Sequence, residues 1–193
     1  MHGWRRGAAI LAVTVLLGIG IALAVNALGV HASRVVSYSM SPTIHRGDWI
    51  VTRDLGASDR GSIGRRDIVL FRFPLGTSGR AVKRVVAIEG DRVAMGPRRV
   101  VVNGHVIPIA GAPGRGAARR RVETVPPRRV FLLGDNAAIS IDSRSLGPVP
   151  DREIVARVLF VIHRRTLLGG VGVAALIAFL TIGLTLARRV RSS

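Results

Sequence analysis

The stretch Ser37-Tyr38-Ser39-Met40-Ser41-Pro42-Thr43 crowds hydroxyl groups into a turn, directly after an apolar run of membrane length. A serine hydroxyl is a poor nucleophile at neutral pH until a base takes its proton, and a desolvated lysine amine is one such base. The sequence offers a single candidate: among 29 Lys plus Arg, Lys83 is the only lysine. Everywhere else the positive charge sits on arginine, which proteins do not deprotonate, whereas a buried lysine can lose its proton. The exception at position 83 points to a neutral amine and so to a Ser39/Lys83 dyad. The plainer reading is an ordinary Ser-Pro turn and a lysine left by biased codon usage.

Two further stretches must position this chemistry. Alternation along a strand from Arg80 to Ile88 puts Ala81, Lys83, Val85 and Ala87 on one face, and such apolar neighbours would lower the lysine pKa. The commoner fate of a strand lysine is to pack its stem on the sheet and keep its head in water. Gly134-Asp135-Asn136 and Ser140-Ile141-Asp142-Ser143-Arg144 follow the apolar Phe131-Leu132-Leu133 and read either as a plain turn or as a supporting shell. In the second reading Ser140 holds the lysine amine, since a hydroxyl both donates and accepts, and an Asp142/Arg144 pair braces the loop.

Composition narrows the remaining possibilities. The chain has no cysteine, which excludes disulfides and thiolate metal sites, and its five histidines at 2, 31, 45, 105 and 163 lack ligand spacing, so no metal or other cofactor is expected. A net charge of +18 raises nucleic acid as a partner, but no nucleic-acid motif or aromatic stacking pattern accompanies the arginines. Attraction to anionic lipid headgroups accounts for the charge more simply in a protein with membrane spans.

In chain order, a basic head (residues 1–6) precedes 24 residues without charge, Gly7 to Val30. About 20 such residues cross a hydrocarbon core as a helix. A cleavable signal peptide competes, although the run exceeds the usual apolar region of one. Residues 31–165 change to β-branched runs split by Gly, Pro, Asn and Asp, which predicts a mostly β domain. Strands are expected over Asp48–Thr52, Asp67–Phe73, Arg80–Ile88, Arg98–Val102, His105–Ile109, Arg129–Leu133 and Ile154–Ile162, with Asn103-Gly104 as a type I′ hairpin turn. Gly111–Arg121 has loop composition. A second uncharged run, Leu167 to Ala187, predicts another span over 166–187 before a basic tail at 188–193. Two spans put both termini on one side, and basic residues favour the cytoplasmic side.

Taken together and in order, these motifs resemble the bacterial type I signal peptidases, membrane-anchored Ser/Lys proteases that remove signal peptides from exported preproteins. The resemblance rests on Ser39-Met40-Ser41-Pro42-Thr43 with Gly47-Asp48, on Asp67 to Phe71, and on Lys83-Arg84-Val85-Val86 with Gly90-Asp91-Arg92-Val93. It ends with Gly134-Asp135-Asn136 and Ser140-x-Asp142-Ser143-Arg144-x-x-Gly147, and covers roughly residues 35 to 160. It implies Ser39 as nucleophile and Lys83 as general base, with Ser37 joining the Ser39 backbone N–H in an oxyanion hole and Ser140 orienting the lysine. It also implies a signal-peptidase-like β domain outside the cytoplasm between an N-terminal and a C-terminal transmembrane helix. The partners are then preprotein signal peptides, cut after small residues of Ala-x-Ala type, and the lipid bilayer; a monomer without nucleic acid is expected. The chain departs from the pattern at Arg66, which replaces a glycine before Asp67, at Ala87 and Glu89, and at Ala137 to Ile139. A self-cleaving repressor of related fold is disfavoured by the two apolar runs. A non-catalytic, membrane-anchored β module binding lipid or a membrane protein is the alternative of a different class.

Overall fold

A computed structural model describes residues 13, 16–20, 24–73, 79–96, 99–108 and 121–168. Among these no helix is long and apolar enough to cross a membrane; the span expected at 166–187 lies almost wholly outside the described residues, and that expected at 7–30 lies partly outside them. What is described of the first run is helical at 13, 16–20 and 24–27, and Gly29, at a φ of 67°, follows the last of these. Val30, assigned to the apolar run by the sequence, is instead the first residue of a strand.

The described fold is mostly β, in two antiparallel sheets. The larger sheet has the order β1-β2-β11-β3-β4-β9-β10. Its strands are β1 (Val30–Arg34), β2 (Trp49–Asp54), β3 (Ile68–Arg72), β4 (Arg80–Ile88), β9 (Arg129–Leu133), β10 (Val149–Pro150) and β11 (Ile154–Ile162). The smaller sheet, β7-β6-β5-β8, comprises β5 (Arg92–Met95), β6 (Val100–Val102), β7 (His105–Ile107) and β8 (Arg121–Thr124). Two short helices complete it, α1 (Ser143–Leu146) and α2 (Arg164–Leu168). Asn103 and Gly104 take φ of 50° and 85° between β6 and β7, the backbone a type I′ turn needs.

Three apolar clusters hold the sheets. The first packs Val69, Phe71, Val85, Leu132 and Ile154 within the larger sheet, and the second joins Val86, Ala87, Phe131 and Leu133 to Val93, Val100 and Val102 of the smaller one. Each of these valine, leucine, isoleucine and phenylalanine side chains, fully buried, contributes roughly 1.5–3 kcal/mol. The third cluster, Val35, Met40, Ile44 and Ile50, anchors the Ser-rich turn. Strict alternation along β4 fails beyond Val85: the register against β9 shifts between Val85 and Ala87, and Val86 and Ala87 share the second cluster while Val85 belongs to the first. A bulge of this kind lets one strand serve two cores.

Where the sheets meet, Asp91 accepts from Arg65, from the Ile88 N–H at 2.9 Å and from Asn103 Nδ2 at 2.7 Å. The Arg65 guanidinium, foremost among these, holds its carboxyl down to about 2. Arg66, next in the chain, has a φ of 76°, while its N–H donates to the Val85 carbonyl at 2.7 Å. A side chain in that left-handed region costs about 1–2 kcal/mol, which gives a physical reason for glycine at this place in the family pattern. Arg66→Gly is therefore expected to raise the thermal midpoint by a few degrees, equivalent to about 1 kcal/mol or less once the added freedom of the unfolded chain is counted. An unchanged or lower midpoint would mean that the arginine side chain contributes more than its backbone costs.

Candidate active site

Residues 35–48 leave the sheet at β1 and return to it at β2, and the ends of this excursion are tied together by backbone bonds from Val35 N–H to Asp48 O and from Gly47 N–H to Val35 O, both 2.8 Å. Met40 and Ile44 point into the core from within it, at 1% and 0% exposure. With Val35 before it and Met40 and Ile44 after it inserted, Ser39 is held inward and is itself buried. Ser37, two residues earlier, stays at the surface.

Lys83 reaches this turn from the middle of β4. Its Nζ lies 2.9 Å from Ser39 Oγ and donates to the Val82 carbonyl at 3.1 Å, and the residue is 3% exposed. The Ser37 and Ser39 hydroxyl oxygens are 3.2 Å apart. Burial pushes the Lys83 ammonium down to about 8 from an ordinary 10.5; Asp142 and Asp135 oppose the shift, Arg144 adds to it, and burial prevails. Near neutral pH a useful fraction of such an amine is unprotonated and can accept the Ser39 proton.

The opposite wall is the segment from Gly134 to Arg144. Asn136 N–H donates to the Ser39 carbonyl at 3.0 Å, and Asn136 Nδ2 donates to the Tyr38 carbonyl at 3.3 Å, so this segment clamps the Ser-rich turn. Asp142, 1% exposed, caps α1, accepts from Gly134 N–H at 3.0 Å and is forked by Arg144 through Nε at 2.8 Å and an Nη at 3.0 Å. That same Arg144 group donates to the carbonyls of Ala137 and Ser140 at 3.0 and 3.3 Å. The two residues are thus brought together and grip the loop. Ser140 is placed beside the turn, but its buried hydroxyl has no hydrogen-bond partner and does not contact the lysine amine.

Two contributors escaped the sequence reading. Gly134 leaves space that nothing else can occupy: a Cβ there would lie 2.6 Å from the Ser39 carbonyl oxygen and 2.6 Å from Ser140 Cβ. Arg84, adjacent to the lysine, forks Asp135 at 2.8 and 2.7 Å and so ties β4 to the end of β9. The histidines are also less scattered than their spacing implied. His45 and His163 both approach Asp48, which accepts from His45 N–H, His163 Nδ1 and Arg164 N–H at 2.9, 2.8 and 3.0 Å. Burial alone would raise the Asp48 pKa, but these bonds outweigh it and lower it.

With this geometry in place, the family described as signal peptidase, peptidase S26, matches residues 8–163. The chain belongs to that family. Within the family it is similar to signal peptidase I of Pseudomonas aeruginosa, 28% identical over 187 residues, covering 71% of this chain and 66% of that protein. Signal peptidase I of Bacillus caldolyticus is 34% identical over 136 residues, 63% of this chain and 73% of that one. Mitochondrial inner membrane protease subunit 1 of Xenopus tropicalis is 33% identical over 120 residues, 62% and 61% respectively. The chain thus spans 66% of the length of the Pseudomonas relative and 61% of the Xenopus one.

Gly134→Ala is expected to leave the fold intact by circular dichroism while displacing the Ser39 backbone, and to reduce turnover of any substrate attacked at Ser39 at least about tenfold. Full turnover by the alanine variant would show that the close approach is not needed. Lys83 supplies a second expectation. Its folded pKa lies below its unfolded value, so the unfolded chain binds the extra proton between about pH 8 and 10.5. The lysine therefore costs most stability below pH 8, and the cost fades as pH rises through that window. Lys83→Met should melt above the parent near pH 7, with the gap closing toward pH 10; a gap independent of pH would contradict the burial of a titrating amine.

Proposed function

We propose that this chain is a membrane-anchored serine endopeptidase that removes N-terminal signal peptides from exported preproteins, with Ser39 as nucleophile and Lys83 as general base. The observation that carries the reading is the 2.9 Å contact between Lys83 Nζ and Ser39 Oγ, both of them buried residues. Family membership and the relatives named signal peptidase I support the substrate class. In the reaction, neutral Lys83 takes the Ser39 proton as Oγ attacks the scissile carbonyl. The resulting oxyanion is stabilised by the Ser39 backbone N–H and the Ser37 hydroxyl, which sits beside the point of attack. The Lys83 ammonium then protonates the leaving amine, and an acyl group remains on Ser39. Lys83 next deprotonates water, whose attack releases the carboxylate of the signal peptide and restores Ser39.

The remaining residues serve this pair. Ser140 turns its unpartnered hydroxyl toward the amine once the lysine has lost its proton and its hydrogen-bonding needs change. Asp142 and Arg144 keep the facing loop rigid. Cleavage follows small residues in an Ala-x-Ala pattern, and the chemistry uses no metal or other cofactor. The two apolar runs span the membrane, leaving the β domain on the extracytoplasmic side and both termini in the cytoplasm; the protein acts as a monomer.

The test is cleavage in detergent of a preprotein with an Ala-x-Ala site. Ser39→Ala and Lys83→Arg should each fold normally and lose activity by a factor of roughly 10² to 10⁴ or more, since arginine keeps the charge but cannot accept the proton. Parent activity should rise with pH and level off above about 8, where the Lys83 amine is neutral. Normal cutting by Lys83→Arg would overturn the base assignment, and absence of cutting by the folded parent on several such preproteins would favour the non-catalytic module.

A further inference from the structure

Away from the Ser39–Lys83 pair, a cleft of about 650 Å³ opens beside β1, and Arg60, Arg72, Arg80 and Arg152 all line it. Arg72 and Arg80 are direct cross-strand partners at the ends of β3 and β4. Like charges in that arrangement repel. Among the described residues neither has an ion-pair partner, nor has Arg60, whose buried Nε lacks any hydrogen-bond partner. One carboxylate, Asp54, lines the cleft itself and is held by His31 of the same wall at 3.0 Å, and Asp59 pairs with Arg53 at 3.7 Å. Only Arg152 has an acid close by, Glu153 at 3.6 Å. All eleven acidic residues of the chain lie within the described residues, so no further carboxylate can fill the cleft.

We propose that this cleft binds a phosphate-borne negative charge, and that its position selects the headgroup of an anionic phospholipid. Its wall includes His31, Ala32 and Ser33 of β1, which starts directly after Gly29 closes the helical end of the first apolar run. On the reading that this run crosses the bilayer, the cleft sits at headgroup depth, and the inference rests on that part of the proposed function. Arginine suits the task because its fork meets phosphate oxygens with two parallel hydrogen bonds. A bound phosphodiester removes the Arg72–Arg80 repulsion and gives the Arg60 guanidinium its missing acceptor.

The full chain in a zwitterionic detergent tests this with two probes, short-chain phosphatidylglycerol and inorganic phosphate, each titrated while the thermal midpoint is followed. Phosphatidylglycerol should raise the midpoint saturably by at least about 2 °C, and short-chain phosphatidylcholine should do so far less. The shift should vanish in Arg72→Gln/Arg80→Gln and persist in Arg92→Gln, which removes a charge outside the cleft. An equal shift from inorganic phosphate would keep the anion site but overturn the headgroup assignment. No shift from either probe, or a shift that survives the double substitution, would overturn the site. Preprotein cleavage and resistance to carbonate extraction, measured on the same samples, report separately on the peptidase and on its anchoring.

Discussion

Keeping water from a single amine is the requirement on which this structure turns. An exposed Lys83 would stay protonated at neutral pH, and on the proposed mechanism Ser39 would then have no base. Burial achieves the shift against the pull of Asp142 and Asp135, both of which favour the charged form. That outcome requires walls that do not yield. Met40 and Ile44 fix one wall from inside the core, the middle of β4 supplies the amine, and the Gly134–Arg144 segment closes the other side.

The ion pairs around the site make sense in these terms. A buried pair adds little net stability over an apolar substitute, yet removal of one partner costs about 3–5 kcal/mol. Asp142 and Arg144 are therefore poor stabilisers but effective clamps, since Arg144 also holds two loop carbonyls and Asp142 a backbone N–H of Gly134. Arg84 and Asp135 do the corresponding work on the neighbouring strands. Ser140, packed against Gly134, keeps a buried hydroxyl without a hydrogen-bond partner among the described residues.

Parts of this were legible in the sequence because they depend on local rules. A lone lysine among arginines, a Ser-rich turn, and Asn-Gly between valine runs each carry their meaning within a few residues. The short strands β5 and β8 did not, since four residues such as Arg92–Met95 between glycines offer too little alternation to register. Gly134 was visible as a turn residue, but its close approach to the Ser39 carbonyl is a tertiary fact. The meeting of His45 and His163 at Asp48 joins positions more than a hundred residues apart, and no spacing rule could reveal it. The bulge in β4 was hidden because alternation is read without knowledge of the partner strand.

The two edges of β2 carry a geometric consequence. The chain enters the domain at Val30, opposite Arg53, and leaves it at Ile162, opposite Trp49. Those points stand four residues apart along one strand, about 13 Å, on either side of it. If both flanking runs are inserted in a single bilayer, a β2 lying along the membrane surface like a rail brings both points to it at once. The domain is then held by two separated pins that restrict its rotation about the membrane normal.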